Sequence, residues 1–351
     1  MQKVSLLTLL LCFCAQMSAA AASKSICPFE NSHLERLPLQ KVHARVETEI
    51  KMPADRGSEC LVYISQIPVL ERQEDCSTRI KSGKISGQKF TELSAQKRTM
   101  LRLLIQNKSV KAKTMHVSST LSATLYQSRL AAGSSSKSIP SLSKQDQAAF
   151  LDPSFSIDYD AKVFQNYLDR LNLRKKESES DIGFAWRAFN TMRRKFRYSW
   201  SPDLDRRNSI TCKTNATDCG GLSYLFCGIM RANKIPARPL VGRWTSSSSR
   251  TEDASGYFNC HVKSEFFDKN IGWIPVDISE AVSNRRKKSS EYFGVDKGDF
   301  IAFHVNPDLV LEGPDNSLKK VRSMPDYRIW IKSGKKITIP PRNIRWTVDR
   351  L

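Results

Sequence analysis

The sequence predicts an α+β protein in which a β-rich amino-terminal part precedes a part of mixed helices and strands. Three observations carry this. Apolar and polar residues alternate with period two across residues 42–126, a Ser-rich stretch follows, and apolar residues then recur at helical spacing before strands return.

Val42, Ala44, Val46, Thr48 and Ile50 alternate with His43, Arg45, Glu47 and Glu49. Residues 61–64 and 101–105 are apolar strand segments, and 114–126 continues the pattern with Val117, Thr120, Leu121 and Leu125. Turn sequences such as Pro53-Ala54-Asp55-Arg56-Gly57 separate them. The expectation is an antiparallel β-sandwich-like domain over 27–130. Gly133-Ser134-Ser135-Ser136 and the Ser-rich run to Lys144 have the composition of a linker, placed at 131–150.

In the next stretch, 151–300, Val163, Phe164, Tyr167, Leu168 and Leu171 share one helix face, as do Ala185, Phe189, Met192 and Phe196. Aromatic stripes of this kind are core faces. A third helix is expected over 219–232, apolar at Leu222, Leu225, Phe226, Ile229 and Met230 and ended by Lys234-Ile235-Pro236. Strands are expected at 238–244, 257–267 and 273–278. Further β patterns at 300–305 and 328–339, the latter turning at Ser333-Gly334, make 301–351 a carboxy-terminal β extension.

Residues 1–22 read as a signal peptide: Lys3, an apolar run from Val4 to Cys14, and Ala20-Ala21-Ala22 before a mature start near Ser23. The run is too short to span a bilayer, and no later segment resembles a membrane helix. The expected location is secreted or periplasmic. The chain carries 56 Lys and Arg against 35 Asp and Glu, a formal charge of +21. Such a charge attracts anionic surfaces, cell-envelope polymers among them. Specific nucleic-acid binding is not expected, because runs such as Arg285-Arg286-Lys287-Lys288 are not interleaved with aromatics.

Two of the nine cysteines lie in the leader. The other seven are Cys27, Cys60, Cys76, Cys212, Cys219, Cys227 and Cys260. Export permits disulfides, and an odd number leaves at least one thiol unpaired. Neither a metal site nor a cofactor is expected: no Cys-x-x-Cys pair exists, and histidines do not gather near the cysteines at ligand spacing.

Cys219 falls at the expected start of the third helix, where Thr217 or Asp218 can cap the free amides. The amino end of a helix is electropositive and favours a thiolate. Gly220 and Gly221 leave space over the sulfur. Downstream, Asn259, His261, Lys263 and Glu265 alternate with Phe258, Cys260, Val262 and Phe266. A turn at Asp268-Lys269-Asn270, centred on Lys269, sets His261 directly opposite Asp277. A carboxylate there can orient the imidazole and stabilise its charged form. Nucleophile, base and orienter in this order suit acyl transfer at a thiol.

Thr217-Asp218-Cys219-Gly220-Gly221 through Ile235-Pro236-Ala237-Arg238, His261 through Glu265, and Gly272-Trp273-Ile274-Pro275-Val276-Asp277 together resemble the three motifs of the transglutaminase-like superfamily. The resemblance covers roughly residues 160–300. It implies a papain-like core, commonly preceded by a β-sandwich, with a catalytic Cys219, His261 and Asp277 acting on peptide or protein amides. Proteolysis is favoured over cross-linking, since no second, amine-binding groove is visible. A catalytically inactive binding or scaffold module is the alternative. Lys263 stands where the family usually has an aromatic, which bears on substrate preference, and Lys234 where it usually has glycine. No Asp-x-Asp-x-Asp-Gly run calls for calcium. Trp186 and Trp200 are candidates for an aromatic that helps to hold the oxyanion.

Overall fold

The computed structural model describes residues 27–133, 139, 141–246, 248–252, 259–340 and 344–350. The expected signal peptide, part of the Ser-rich stretch, and Tyr257 and Phe258 lie outside the described residues.

The first seven strands are β1 (Ser32–Met52), β2 (Glu59–Ser65), β3 (Gln73–Ser82), β4 (Ile85–Ser86), β5 (Gln88–Thr91), β6 (Thr99–Gln106) and β7 (Lys113–Ala132). Helices follow: α1 (Lys144–Leu151), α2 (Lys162–Arg170) and α3 (Asp181–Lys195). After β8 (Arg197–Tyr198), α4 (Asn208–Thr211) and β9 (Ala216–Thr217) comes α5 (Cys219–Ala232). The chain then forms β10 (Ala237–Trp244), β11 (Ser248–Glu252), β12 (Cys260–Asp268), β13 (Gly272–Val276) and α6 (Ile278–Ser283). The remaining strands are β14 (Val295–Asp296), β15 (Phe300–Val305), β16 (Leu309–Glu312), β17 (Leu318–Val321), β18 (Arg328–Ser333), β19 (Lys336–Thr338) and β20 (Ile344–Arg350).

Two sheets enclose one apolar cluster. One runs β11-β20-β1-β7-β3-β4 with β14 against β7, and the other runs β19-β18-β2-β6-β5. Val42 and Val46 from β1, Val62 from β2, Leu103 from β6 and Leu121 from β7 meet there with Trp346 from β20, all buried. The alternation that marked β1 is therefore a one-sided burial pattern. The carboxy-terminal strands are not a separate extension. β20 pairs with β1, Val46 opposite Trp346, and β18 pairs with β2, Trp330 opposite Leu61. The chain begins these sheets, leaves to build the rest of the molecule, and returns to complete them. β15, by contrast, belongs to the sheet described next.

That third sheet is antiparallel, in the order β13-β12-β10-β15. α5 packs on it through Leu222, Leu225, Phe226, Ile229 and Met230, which share a cluster with Val262 and Phe266 of β12 and with Phe189 and Met192 of α3. α5 is buried along its length, as the core helix of an α+β layer must be. Gly242 lets β15 approach β10 closely: a Cβ there would collide with the Ile301 carbonyl oxygen. Gly242→Ala is expected to destabilise the protein by about 2–3 kcal/mol through overpacking against a backbone that cannot rotate away. A thermal melt checks this, and an unchanged midpoint would show that the sheet can open there.

α1 lies where composition suggested a linker. Ser143 caps it by accepting from the Asp146 amide, and Phe150 seats it edge-on against Trp273 at 5.1 Å. One buried aromatic in eight polar-rich residues gives no periodic signal, so tertiary contact determines this helix.

Candidate active site

The amino end of α5 is built by Asp218. Its carboxylate accepts from the Gly221 amide at 3.0 Å and is held by Arg206 Nε at 2.9 Å. Asp218, not Thr217, is thus the cap. Thr217 instead sets its side chain where a Cβ on Gly221 would lie, so residue 221 must be glycine for the turn to close. Cys219 is the first residue of the helix. Cys219 forms no disulfide.

α5 is pinned to β12 near its amino end. Ser223, one turn on from Cys219, donates from Oγ to the Val262 carbonyl at 2.8 Å, beside His261. His261 is fixed on the other side by Trp244 of β10, whose ring stacks on the imidazole at 4.4 Å. Its Nε2 lies 2.9 Å from Asp277 Oδ2, and the Cys219 side chain adjoins the same ring. Because Asp277 takes Nε2, Nδ1 is the nitrogen left for sulfur.

Asp277 reaches His261 by a route other than the expected one. The β12–β13 hairpin pairs Phe266 with Ile274 and Asp268 with Gly272, so its turn centres on Asn270, and the register is displaced by two residues. Asp268 Oδ1 accepts from the Asn270 amide at 2.8 Å, and Gly272 takes φ +94. A turn of this length needs that left-handed glycine. An even displacement keeps each residue on its face. Asp277 lies beyond the end of β13 and caps α6, its Oδ1 accepting from the Glu280 amide at 3.0 Å. One oxygen holds the helix and the other holds the histidine.

Burial opposes a charged His261, but the Asp277 carboxylate, with a further contribution from Cys219, outweighs it and raises the imidazole from 6.5 to about 10. Burial likewise opposes a charged Asp277, yet His261, with help from Lys263, draws its carboxyl down to about 2. The pair is therefore imidazolium and carboxylate across neutral pH. Lys263 continues the same strand face. Its ammonium lies 3.4 Å from Asp296, 3.6 Å from Asp299 and 4.8 Å from the centre of the Trp244 ring. Where the resemblance leads one to expect an aromatic, this chain has a buried cation beside the ring that stacks on His261.

Tyr198 belongs to the site and had no signal of its own in the sequence. β8 is two residues long and pairs in parallel with β9, Tyr198 opposite Thr217. This brings the phenol beside Cys219. Burial, followed by the neighbouring Cys219, raises its pKa. Tyr198→Phe removes a hydroxyl that adjoins the sulfur, so alkylation of Cys219 by iodoacetamide is expected to run a few-fold faster. Timed labelling with mass spectrometry checks this. Of the two tryptophans considered, Trp186 packs in the core against Phe29, Phe189 and Phe293, while Trp200 is 37 % exposed, two residues from Tyr198.

Cys219, His261 and Asp277 are 1, 6 and 7 % exposed, so neighbouring side chains cover the sulfur. Among the described residues no three His, Cys, Asp or Glu side chains converge as a metal site.

Residues 170–278, the stretch that contains all three side chains, match the transglutaminase-like superfamily. The chain thus carries a transglutaminase-like core domain. The fold is shared with a candidate cysteine protease from Cytophaga hutchinsonii, 14% identical, with a TM-score of 0.53 over 91% of this chain and 93% of that one. The periplasmic domain of TgpA from Pseudomonas aeruginosa is more distant. It is 13% identical, with a TM-score of 0.37 over 73% of this chain and 93% of its own. No curated protein matches the sequence. No helix among the described residues is long and apolar enough to cross a membrane.

Proposed function

We propose that the transglutaminase-like core is a cysteine acyl-transfer site acting on peptide or protein amides, with hydrolysis as its outcome. The observation that carries this is the 2.9 Å bond from Asp277 to His261 Nε2, with Cys219 at a helix start beside the same ring. The Cys219 thiolate adds to an amide carbonyl. The backbone amide of Cys219 donates to the oxyanion, a donor worth about 3 kcal/mol in comparable sites. The C–N bond then breaks, and imidazolium His261 gives its proton to the leaving amine. Neutral His261 next takes a proton from water as the water attacks the thioester, which releases the carboxylic acid and restores the thiolate–imidazolium pair. Asp277 holds the ring and its charge throughout.

The two facing sheets form a sandwich-like module appended to this core, and the leader at 1–22 places the chemistry outside the cytoplasm. Sequencing the amino terminus of the exported chain should give a start near Ser23.

A screen of peptide and glutamine-donor substrates, with and without a primary amine, tests the reading. Wild type should release acid, and Cys219→Ala should not. Amine incorporation in place of hydrolysis would make the protein a cross-linker. Equal behaviour of wild type and Cys219→Ala on every substrate would leave a binding module.

A further inference from the structure

Building on Cys219 as the nucleophile, we propose that the exposed cations beside it bind an acidic peptide segment, so that the site selects amides flanked by glutamate or aspartate. The cations are Arg194, Lys195 and Arg197, at the end of α3 and in β8, and Arg286, Lys287 and Lys288, after α6, all exposed. Two arginines clasp these segments together. Arg193 donates to the carbonyls of Ala281 at 2.9 Å and Arg285 at 3.1 Å, and Arg285 donates back to the Phe196 carbonyl. Both guanidinium groups are therefore satisfied by backbone oxygens, and their charge is not cancelled.

Few acids face this surface. Glu291 lies 4.0 Å from Lys287, and Glu280 is engaged by the Asn284 side chain at 3.0 Å. Among the described residues, no carboxylate pairs with Arg194, Lys195, Arg197, Arg286 or Lys288. A surface of one sign whose cations are largely without carboxylate partners is complementary to a ligand of the other sign.

The patch also adjoins the chemistry. Tyr198, beside Cys219 and paired with Thr217, directly follows Arg197. Asp277 caps α6, whose six residues span about 9 Å before the 284–288 segment begins. An extended peptide advances about 3.3 Å per residue. Acidic residues within about four positions of the attacked amide therefore reach these cations.

The test uses the full chain carrying Cys219→Ala and two fluorescein-labelled octapeptides, each with a central glutamine, one flanked by glutamates and one by serines. The glutamate peptide should bind roughly tenfold tighter at 50 mM NaCl, lose most of that advantage at 300 mM, and lose it in Lys195→Glu/Arg286→Glu/Lys288→Glu. These side chains are exposed, so the triple variant should melt with its parent. Wild-type turnover separates this inference from the acyl-transfer reading. The kcat/KM ratio of glutamate over serine peptide should fall in the triple variant, through KM. Equal binding of both peptides would overturn the proposal, as would glutamate-peptide affinity unchanged by charge reversal, or capture of inorganic polyphosphate but not of the glutamate peptide. Selective binding without turnover of either peptide would support the acidic docking surface and remove the acyl-transfer reading.

Discussion

Cys219→Ala is expected to lower amide turnover by roughly 10⁴–10⁶-fold, the loss typical when a nucleophile is removed from a unit that acts together. The fold should survive. The side chain is small, its neighbours are the Tyr198 hydroxyl and the His261 ring, and the cap that starts α5 is Asp218. A melting temperature within a few degrees of wild type, beside abolished activity, separates a chemical loss from a structural one. Loss of both together would show that the thiol supports the helix start rather than a reaction.

Asp277→Asn is expected to cost roughly 10²–10⁴-fold in kcat/KM near neutral pH, because the amide cannot stabilise the imidazolium and can hold the wrong tautomer. The shape of the pH profile is the more specific expectation. In wild type His261 is raised to about 10, so the imidazolium persists up to that pH. Without the carboxylate, burial prevails and the alkaline limb should fall by more than about one unit, towards or below 6.5. Stability follows the same linkage. The raised His261 contributes stability fully below about 6.5, and this is lost as pH rises through about 10. The depressed Asp277 contributes stability above 3.8, and this is lost as pH falls through about 2. An unmoved alkaline limb in Asp277→Asn would mean that another group sets the charge of His261.

Much of the site could be read in the residues because its parts are local. A cap, a glycine pair and an apolar helix lie together around Cys219, and alternation marks both strands of the hairpin. The turn was harder. Asp268-Lys269-Asn270 looks complete in itself, but Gly272 at φ +94 is what closes the chain, and it moves the centre to Asn270. The faces survived because the displacement is even. Tyr198 was invisible because a two-residue strand has no period, and its partner Thr217 is set by tertiary packing. The return of β20 to β1 was legible only in part. Ile344, Trp346 and Val348 alternate as a half-buried strand should, yet alternation does not say which strand lies alongside when the partner is some 300 residues earlier.

The most direct test is pH-resolved alkylation by iodoacetamide, mapped by peptide mass spectrometry. Burial raises the Cys27 and Cys76 thiols to about 11 and those of Cys60 and Cys227 to about 12, and it raises Cys212 as well. These five should stay unmodified near pH 7. Cys219 should be labelled ahead of all of them in wild type, and more slowly in Asp277→Asn. Cys219 found in a disulfide with Cys212 or Cys227, or labelled no faster than the five buried thiols, would contradict it.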